Sequence, residues 1–335
     1  MTYILSKNII IMNKILSFCI ILATIIYPQK IIEEYQPPEG YLRIGPEPER
    51  MIPMVEKGFT LILPEVENVN GVVVVPSARR LDVKELVKKE GTLENEALKK
   101  NIVVIHILTG NPLDFYFEDD IMRDVVKTLE SVLAENNLRG KPVYFTGLSL
   151  GGTRSLKLVI FLQRNKEKYW LQPTAVAIVD APLDMIRFWD SETRAVINNF
   201  YPDAVDEGRW VTYLLKENLG TPEENFNNYV DYSPFVYKAE DGGNAKYLRN
   251  VPVRAYHEPD VNWWIENRRK DYYSMNSVDL AALINQLKLL HNDQSELITT
   301  YQEREGFEEG SSPHTDTVVD YAELMDWFLS FENRE

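Results

Sequence analysis

The chain predicts an α/β fold, with a mostly parallel central sheet, helices on both faces and a helical cap inserted into the series. Three observations carry this expectation. From Gly58 onward, short apolar runs alternate with longer segments of helical period, the pattern of strand-helix-strand units. Gly71-Val72-Val73-Val74-Val75 and Ala175-Val176-Ala177-Ile178-Val179 are continuous apolar runs, as strands covered on both faces must be. Between Leu183 and Asn250 aromatic and charged residues mix around a Gly242-Gly243 loop, and the strand series resumes at Val251.

The elements follow in order. Residues Met1 to Gln29 contain no acidic residue, and Met12-Asn13-Lys14 precedes an apolar run from Ile15 to Ile26. This reads as an export signal over residues 1–29, with Met12 a candidate start. The run falls short of the roughly 20 residues a spanning helix needs, and an uncleaved anchor is the competing reading. Cys19, the only cysteine, lies inside it, so the processed chain would carry no thiol, disulfide or cysteine metal site. The expected location is exported, periplasmic or secreted, without stable membrane insertion after processing. Residues 30–57, with Pro37-Pro38 and Pro46-Glu47-Pro48, read as an extended arm lying on the body.

The core is expected over 58–182 and 251–335, with the cap at 183–250. Its strands are placed at Phe59 to Leu63, Gly71 to Val75, Ile102 to Leu108, Val143 to Thr146, Ala175 to Val179, Val251 to His257 and Glu296 to Tyr301. Helices are placed at Asp82 to Lys100, Glu118 to Asn136, Leu150 to Arg164, Ser277 to Leu290 and Thr317 to Phe331. In the second of these, Ile121, Met122, Val125, Val126 and Leu129 form one stripe. With 335 residues, 44% of them hydrophobic, there is material for a full core. A net charge of −15 excludes a sequence-independent grip on phosphate backbone, so nucleic acid is not an expected partner.

Chemistry concentrates at Gly147-Leu148-Ser149-Leu150-Gly151, between the apolar run ending at Thr146 and a helical pattern. A serine on a sharp strand-to-helix turn needs neighbours without side chains, because strand and helix pass closely there. Gly147 and Gly151 meet that need. The free N–H groups at the helix start can hold a developing negative charge, and Leu150 is the expected donor. An ordinary tight turn is the plain alternative, and context decides between them.

Serine needs a base near neutral pKa. Of four histidines, His106 lies inside an apolar strand, His257 ends a strand and His291 closes a helix, whereas His314 sits in the loop Gly310-Ser311-Ser312-Pro313-His314-Thr315. The order of strand, serine turn, strand, insert, strand with a trailing acid, and strand with a trailing histidine resembles the α/β-hydrolase fold superfamily, over roughly Gly58 to Phe331. Gly-Leu-Ser-Leu-Gly-Gly-Thr-Arg is similar to the elbows of exported bacterial members of the esterase kind. The resemblance implies Ser149 as nucleophile, His314 as base and Asp260 as the acid that orients it. Glu258, Asp180 and Asp184 are alternative seats for the acid.

The second oxyanion donor is expected after Val75, where Pro76-Ser77-Ala78-Arg79 replaces the His-Gly of many members. Proline has no N–H, so Ser77 or Ala78 must donate, or the Ser77 hydroxyl must. Arg79, Arg80 and Arg154 are candidates for an acidic group on a substrate, against the alternative of ordinary ion pairs. Trp263-Trp264, Phe188-Trp189, Phe200-Tyr201, Trp210 and Tyr213 are candidates for a pocket mouth, against the alternative of core between cap and body. No His-x-x-x-His pair, calcium-loop spacing or phosphate loop occurs, so no metal and no cofactor is expected.

The function expected is an exported serine hydrolase cleaving a carboxylic ester, with a small-molecule ester or acylated compound as substrate. Two rivals stand beside it: a serine peptidase or amidase on the same fold, and a non-catalytic binding protein built on it.

Overall fold

The computed structural model describes residues 29–46, 50–301 and 311–331. The export signal expected at residues 1–29 therefore lies, apart from Gln29, outside the described residues.

The arm joins the sheet rather than lying on it. Its first strand, β1 (Gln29–Gln36), pairs antiparallel with β4 (Lys57–Pro64) from Gln29 opposite Pro64 to Gln36 opposite Lys57. Ile31 and Ile32 give it the apolar residues to pack inward, while Lys30, Glu33 and Glu34 stay exposed. Between these two strands, β2 (Tyr41–Arg43) and β3 (Met51–Pro53) make a small antiparallel pair. An Arg50–Asp206 ion pair ties this pair of strands to the cap.

The continuous apolar runs form the centre of an eight-stranded sheet. β5 (Gly71–Pro76) runs parallel between β6 (Ile102–Thr109) and β7 (Val143–Leu148), and β8 (Pro173–Val179), β9 (Val253–His257) and β10 (Glu296–Thr299) continue the parallel series. The order is β1-β4-β6-β5-β7-β8-β9-β10. Because successive strand side chains point to opposite faces, Val72 and Val74 enter one core with Ile105, Phe145 and Ile178, while Val73 enters the other with Val104, Tyr144 and Val179. This is why these strands contain no polar alternation.

Helices cover both faces. On one lie α3 (Asp119–Glu135), α4 (Leu150–Arg164) and α9 (Asn276–Leu289); on the other lie α1 (Val83–Leu86), α2 (Leu93–Lys99) and α10 (Tyr321–Leu329). The helix expected from Asp82 to Lys100 is broken in two. Thr92 stops continuity: its hydroxyl donates to the Leu86 and Lys89 carbonyls and accepts the Asn95 N–H, so it closes one helix and caps the next. In α3, Met122, Val125, Val126, Leu129, Val132 and Leu133 are buried, each contributing about 1.5–3 kcal/mol of apolar burial.

The insert is helical, with α5 (Met185–Asn198), α6 (Pro202–Leu219) and α7 (Phe226–Tyr232) followed by 3-10 turns over Glu240–Leu248. Gly208 lets α6 approach α5: a Cβ there would sit 2.5 Å from the Glu192 carbonyl oxygen. The insert has its own core of Met185, Phe188, Val211, Leu215, Tyr229 and neighbours, into which Phe115 of the core is inserted. Phe188, Trp189, Trp210 and Tyr213 belong to this cluster or pack on it, which is the core alternative for those rings. A helix not anticipated, α8 (Val261–Arg268), follows β9.

Candidate active site

Ser149 sits where β7 ends and α4 begins, with φ 55° and ψ −129°. An L residue in that region is strained. The turn is fixed from both sides. The Ser149 N–H donates to the Val179 carbonyl of β8 at 2.8 Å, and its carbonyl accepts the Gly152 N–H at 2.9 Å. A Cβ on Gly147 would lie 2.4 Å from the Gly151 carbonyl carbon, and one on Gly152 would lie 2.8 Å from the Ala181 Cβ. The tightest glycines of the turn are therefore Gly147 and Gly152, whereas a Cβ on Gly151 would meet only the Pro76 oxygen, at 3.2 Å. Ser149 and Leu150 are half-buried.

His314 Nδ1 meets Asp180 Oδ2 at 2.5 Å. Asp180 follows β8, the neighbour of the serine strand, and Leu148 is in register with Val179. It too has positive φ, 39°, and its backbone is held by its N–H on the Tyr256 carbonyl at 2.9 Å and by Asn276 Nδ2, which donates to its carbonyl at 3.0 Å. The carboxylate is 9% exposed and the imidazole 33%, so one end of the pair is fixed while the other reaches water. Removal from solvent disfavours charge on His314, but the Asp180 hydrogen bond and charge outweigh it, and the imidazole pKa lies above its ordinary value. Trp264 stands edge-on to the ring at a centroid distance of 6.5 Å.

Asp260, the acid expected to orient His314, occupies a different place. It is the N-cap of α8, where Oδ1 accepts the Trp263 N–H at 3.0 Å. The physical reason is local: a carboxylate preceding a helix satisfies that helix's orphan N–H groups before it can reach a distant loop. Two of the alternative seats are also engaged. Asp184 caps α5 through the Ile186 and Arg187 N–H groups, with its carboxyl raised by burial, and Glu258 accepts from the Thr300 hydroxyl at 3.1 Å. Among the candidate acids, it is Asp180 that touches the histidine.

The other expected site residues divide. Arg154 is 2% exposed; its Nε donates to the Asp114 carbonyl at 2.5 Å and its terminal nitrogen to the Pro112 carbonyl at 3.0 Å. A guanidinium spent on backbone carbonyls beneath the surface is not placed to meet a substrate, and the substrate role expected of Arg154 is corrected to that of a tie between α4 and the 112–114 loop. Arg80 bonds Glu33 and lies over the Tyr35 ring at 4.9 Å, whereas Arg79 is exposed on the same loop. Trp263 is half-buried against Trp264, with Arg268 over its ring at 4.9 Å; Trp264 is the ring that reaches His314.

The Ser77 N–H is not available as an oxyanion donor, because it extends the sheet to the Ile107 carbonyl at 2.9 Å. Its hydroxyl is the remaining donor of that residue. The histidine expected simply within an apolar strand also proves polar in its contacts: His106 touches Ser77 Oγ at 3.2 Å and Glu94 Oε1 at 2.9 Å. No cue of spacing links residues 77, 94 and 106, which come together only through strand register and α2.

Among the described residues, no group of three His, Cys, Asp or Glu side chains is arranged to hold a metal ion, and no helix is long and apolar enough to cross a membrane. What the strand ends do hold is a strained serine at the start of α4 and a carboxylate-held imidazole.

Comparison with solved structures agrees with this architecture. The chain is similar to carboxyl esterase 2 of Tuber melanosporum (TM-score 0.50, 13% identity, covering 90% of this chain and 85% of that one). It is similar to a thermostable esterase of Pseudomonas putida ECU1011 (0.50, 10%, 90% and 79%) and to a Mycobacterium tuberculosis puromycin-hydrolyzing peptidase (0.51, 14%, 90% and 40%). It spans 42% of the Pyrococcus horikoshii acylaminoacyl peptidase chain it also matches. No family model and no curated protein matches the chain. At these identities the likeness establishes the α/β-hydrolase fold, and chemistry has to be argued from the site.

Proposed function

We propose that the protein is a serine hydrolase that cleaves a carboxylic ester through an acyl-enzyme on Ser149. The single observation carrying this reading is the 2.5 Å contact of His314 Nδ1 with Asp180 Oδ2, on the strand end next to a serine of strained φ. With Nδ1 held by the carboxylate, Nε2 is the nitrogen left to exchange a proton with serine. His314 takes the Ser149 proton as Oγ attacks the ester carbonyl, and the Leu150 N–H with the Ser77 hydroxyl holds the oxyanion. His314 then returns the proton to the departing alcohol, and water repeats the two steps to free the acid. Asp180 takes the orienting role that the sequence reading gave to Asp260. Arg79, exposed two residues beyond Ser77, and Trp263, beside the Trp264 ring that stands edge-on to His314, are the side chains proposed to meet substrate.

Support from the comparisons is of fold and company: solved neighbours named esterases share the architecture. The peptidase reading rests on the neighbour named a puromycin-hydrolyzing peptidase, and the test separates the two. Purified protein is offered p-nitrophenyl acetate and butyrate, aminoacyl anilides, and a fluorophosphonate probe followed by peptide mapping. Ester turnover with probe on Ser149 is expected; turnover of the anilides alone would replace ester by amide. Folded protein that neither turns over substrate nor takes the probe would leave a binding protein on a hydrolase scaffold. Export is part of the same proposal and is tested by the N-terminal sequence of protein recovered outside the cytoplasm, expected to begin near Gln29.

A further inference from the structure

The loop that should complete the oxyanion hole lacks glycine and has lost two N–H donors: Pro76 has none, and that of Ser77 belongs to the sheet. A hydroxyl can replace them only if it is held in one rotamer, because a freely turning donor must be ordered in every turnover. Ser77 is placed to serve. β5 lies beside β7, and the Pro76 carbonyl oxygen is within 3.2 Å of where a Gly151 Cβ would stand, so the next residue comes level with the serine turn. Ser77 is half-buried, not sealed.

Behind it stands a buried pair with no part in the Ser149 mechanism. His106 is 2% exposed and Glu94 4%. His106 projects from β6, one strand from Ser77, and Glu94 from the first turn of α2. Glu94 Oε1 at Nε2 fixes the imidazole rotation, so that Nδ1 rather than a ring carbon faces Ser77 Oγ at 3.2 Å. Burying an imidazole and a carboxylate in a sheet core costs free energy that two apolar residues would not. That cost suggests a role beyond packing.

We propose that Glu94 and His106 are positioning residues that hold the Ser77 hydroxyl as the second oxyanion donor. In the working arrangement Nδ1–H donates to Ser77 Oγ, and the hydroxyl proton turns from the Val75 carbonyl, 3.3 Å away, to the developing oxyanion. No bond is made or broken in this array, and its hydrogen bonds strengthen as negative charge appears on the substrate oxygen. The inference rests on the hydrolase reading and deepens it.

The test is a coupled series on p-nitrophenyl acetate, with the labelling rate of Ser149 by the fluorophosphonate measured alongside. Ser77→Ala is expected to lower kcat about 100-fold, the usual effect of removing one oxyanion donor, while KM changes little. Ser77→Thr, which keeps the hydroxyl, restores most of the rate. His106→Gln lowers kcat in the parent but not in the Ser77→Ala background, because it acts through the hydroxyl already removed. Glu94→Gln gives a second, milder probe should His106→Gln fail to fold. Parental kcat in Ser77→Ala, or losses that multiply in the double variant, would overturn the proposal while leaving Ser149 chemistry intact. A folded parent whose Ser149 resists the probe would overturn both.

Discussion

Among the described residues two histidines are held by carboxylates, His314 by Asp180 and His106 by Glu94, and the two pairs differ in what surrounds them. Ser149 occupies a strained turn, His314 is one-third exposed in a loop, and Asp180 holds the ring from a neighbouring strand end. Ser77 follows the end of a regular strand, His106 and Glu94 are sealed within the sheet and α2, and the ring contacts the hydroxyl at 3.2 Å. Connectivity alone does not distinguish them. A nucleophile must be presented to substrate and paired with a base that can exchange protons with it, which requires strain, exposure and a loop histidine. A donor needs only to be held still.

The sharpest way to break this contrast is to remove each hydroxyl in turn. Ser149→Ala is expected to lower kcat by about 10⁴-fold or more, against about 100-fold for Ser77→Ala; equal losses would erase the distinction. Next comes the acid. Asp180→Asn should cost about 10³- to 10⁴-fold in kcat, because the imidazole loses its held tautomer. Asp260→Asn, measured beside it, should stay within a few-fold of parent, since asparagine caps a helix equally well. The reverse ranking would restore Asp260 as the orienting acid.

A third measurement concerns pH. In the proposed mechanism His314 works as a base only when neutral, and its pKa is raised above the ordinary imidazole value because Asp180 favours the charged ring. The acid limb of kcat/KM is therefore expected above pH 6.5, and Asp180→Asn should move it down. The same pairing stabilises the fold fully below the unfolded histidine's pKa, and that contribution fades as pH rises through the folded value. The smallest effect expected is structural: Asp260→Ala should lower stability by about 1 kcal/mol through the α8 cap, read from a denaturant melt.

Most of the scaffold was legible because its signals are periodic. The valine run of β5 and the stripe of α3 admit one placement each, and Gly147 before Ser149 marks the close strand-helix crossing that the structure contains. Of the features that were not legible, three show the local reason plainly. β1 hides its pairing because its partner, β4, lies beyond a proline-rich stretch that reads as arm. Asp260 and Asp180 both trail strands in the sequence, and choosing between them needs to know that one caps a helix that has no strong hydrophobic period of its own. Arg154 follows the serine turn closely enough to suggest a ligand, yet its helical position turns it inward to backbone carbonyls.

The strand that precedes the recognisable fold also reaches the chemistry. Glu33 and Tyr35 of β1 grip Arg80, three residues beyond Ser77, so the loop bearing that hydroxyl is fastened at its far end by β1. A protein shortened to start at Lys57 would keep every residue assigned to proton transfer and lose the Glu33 and Tyr35 contacts on the loop that bears Ser77. Strand β1 thus acts as a remote splint for the loop that carries Ser77.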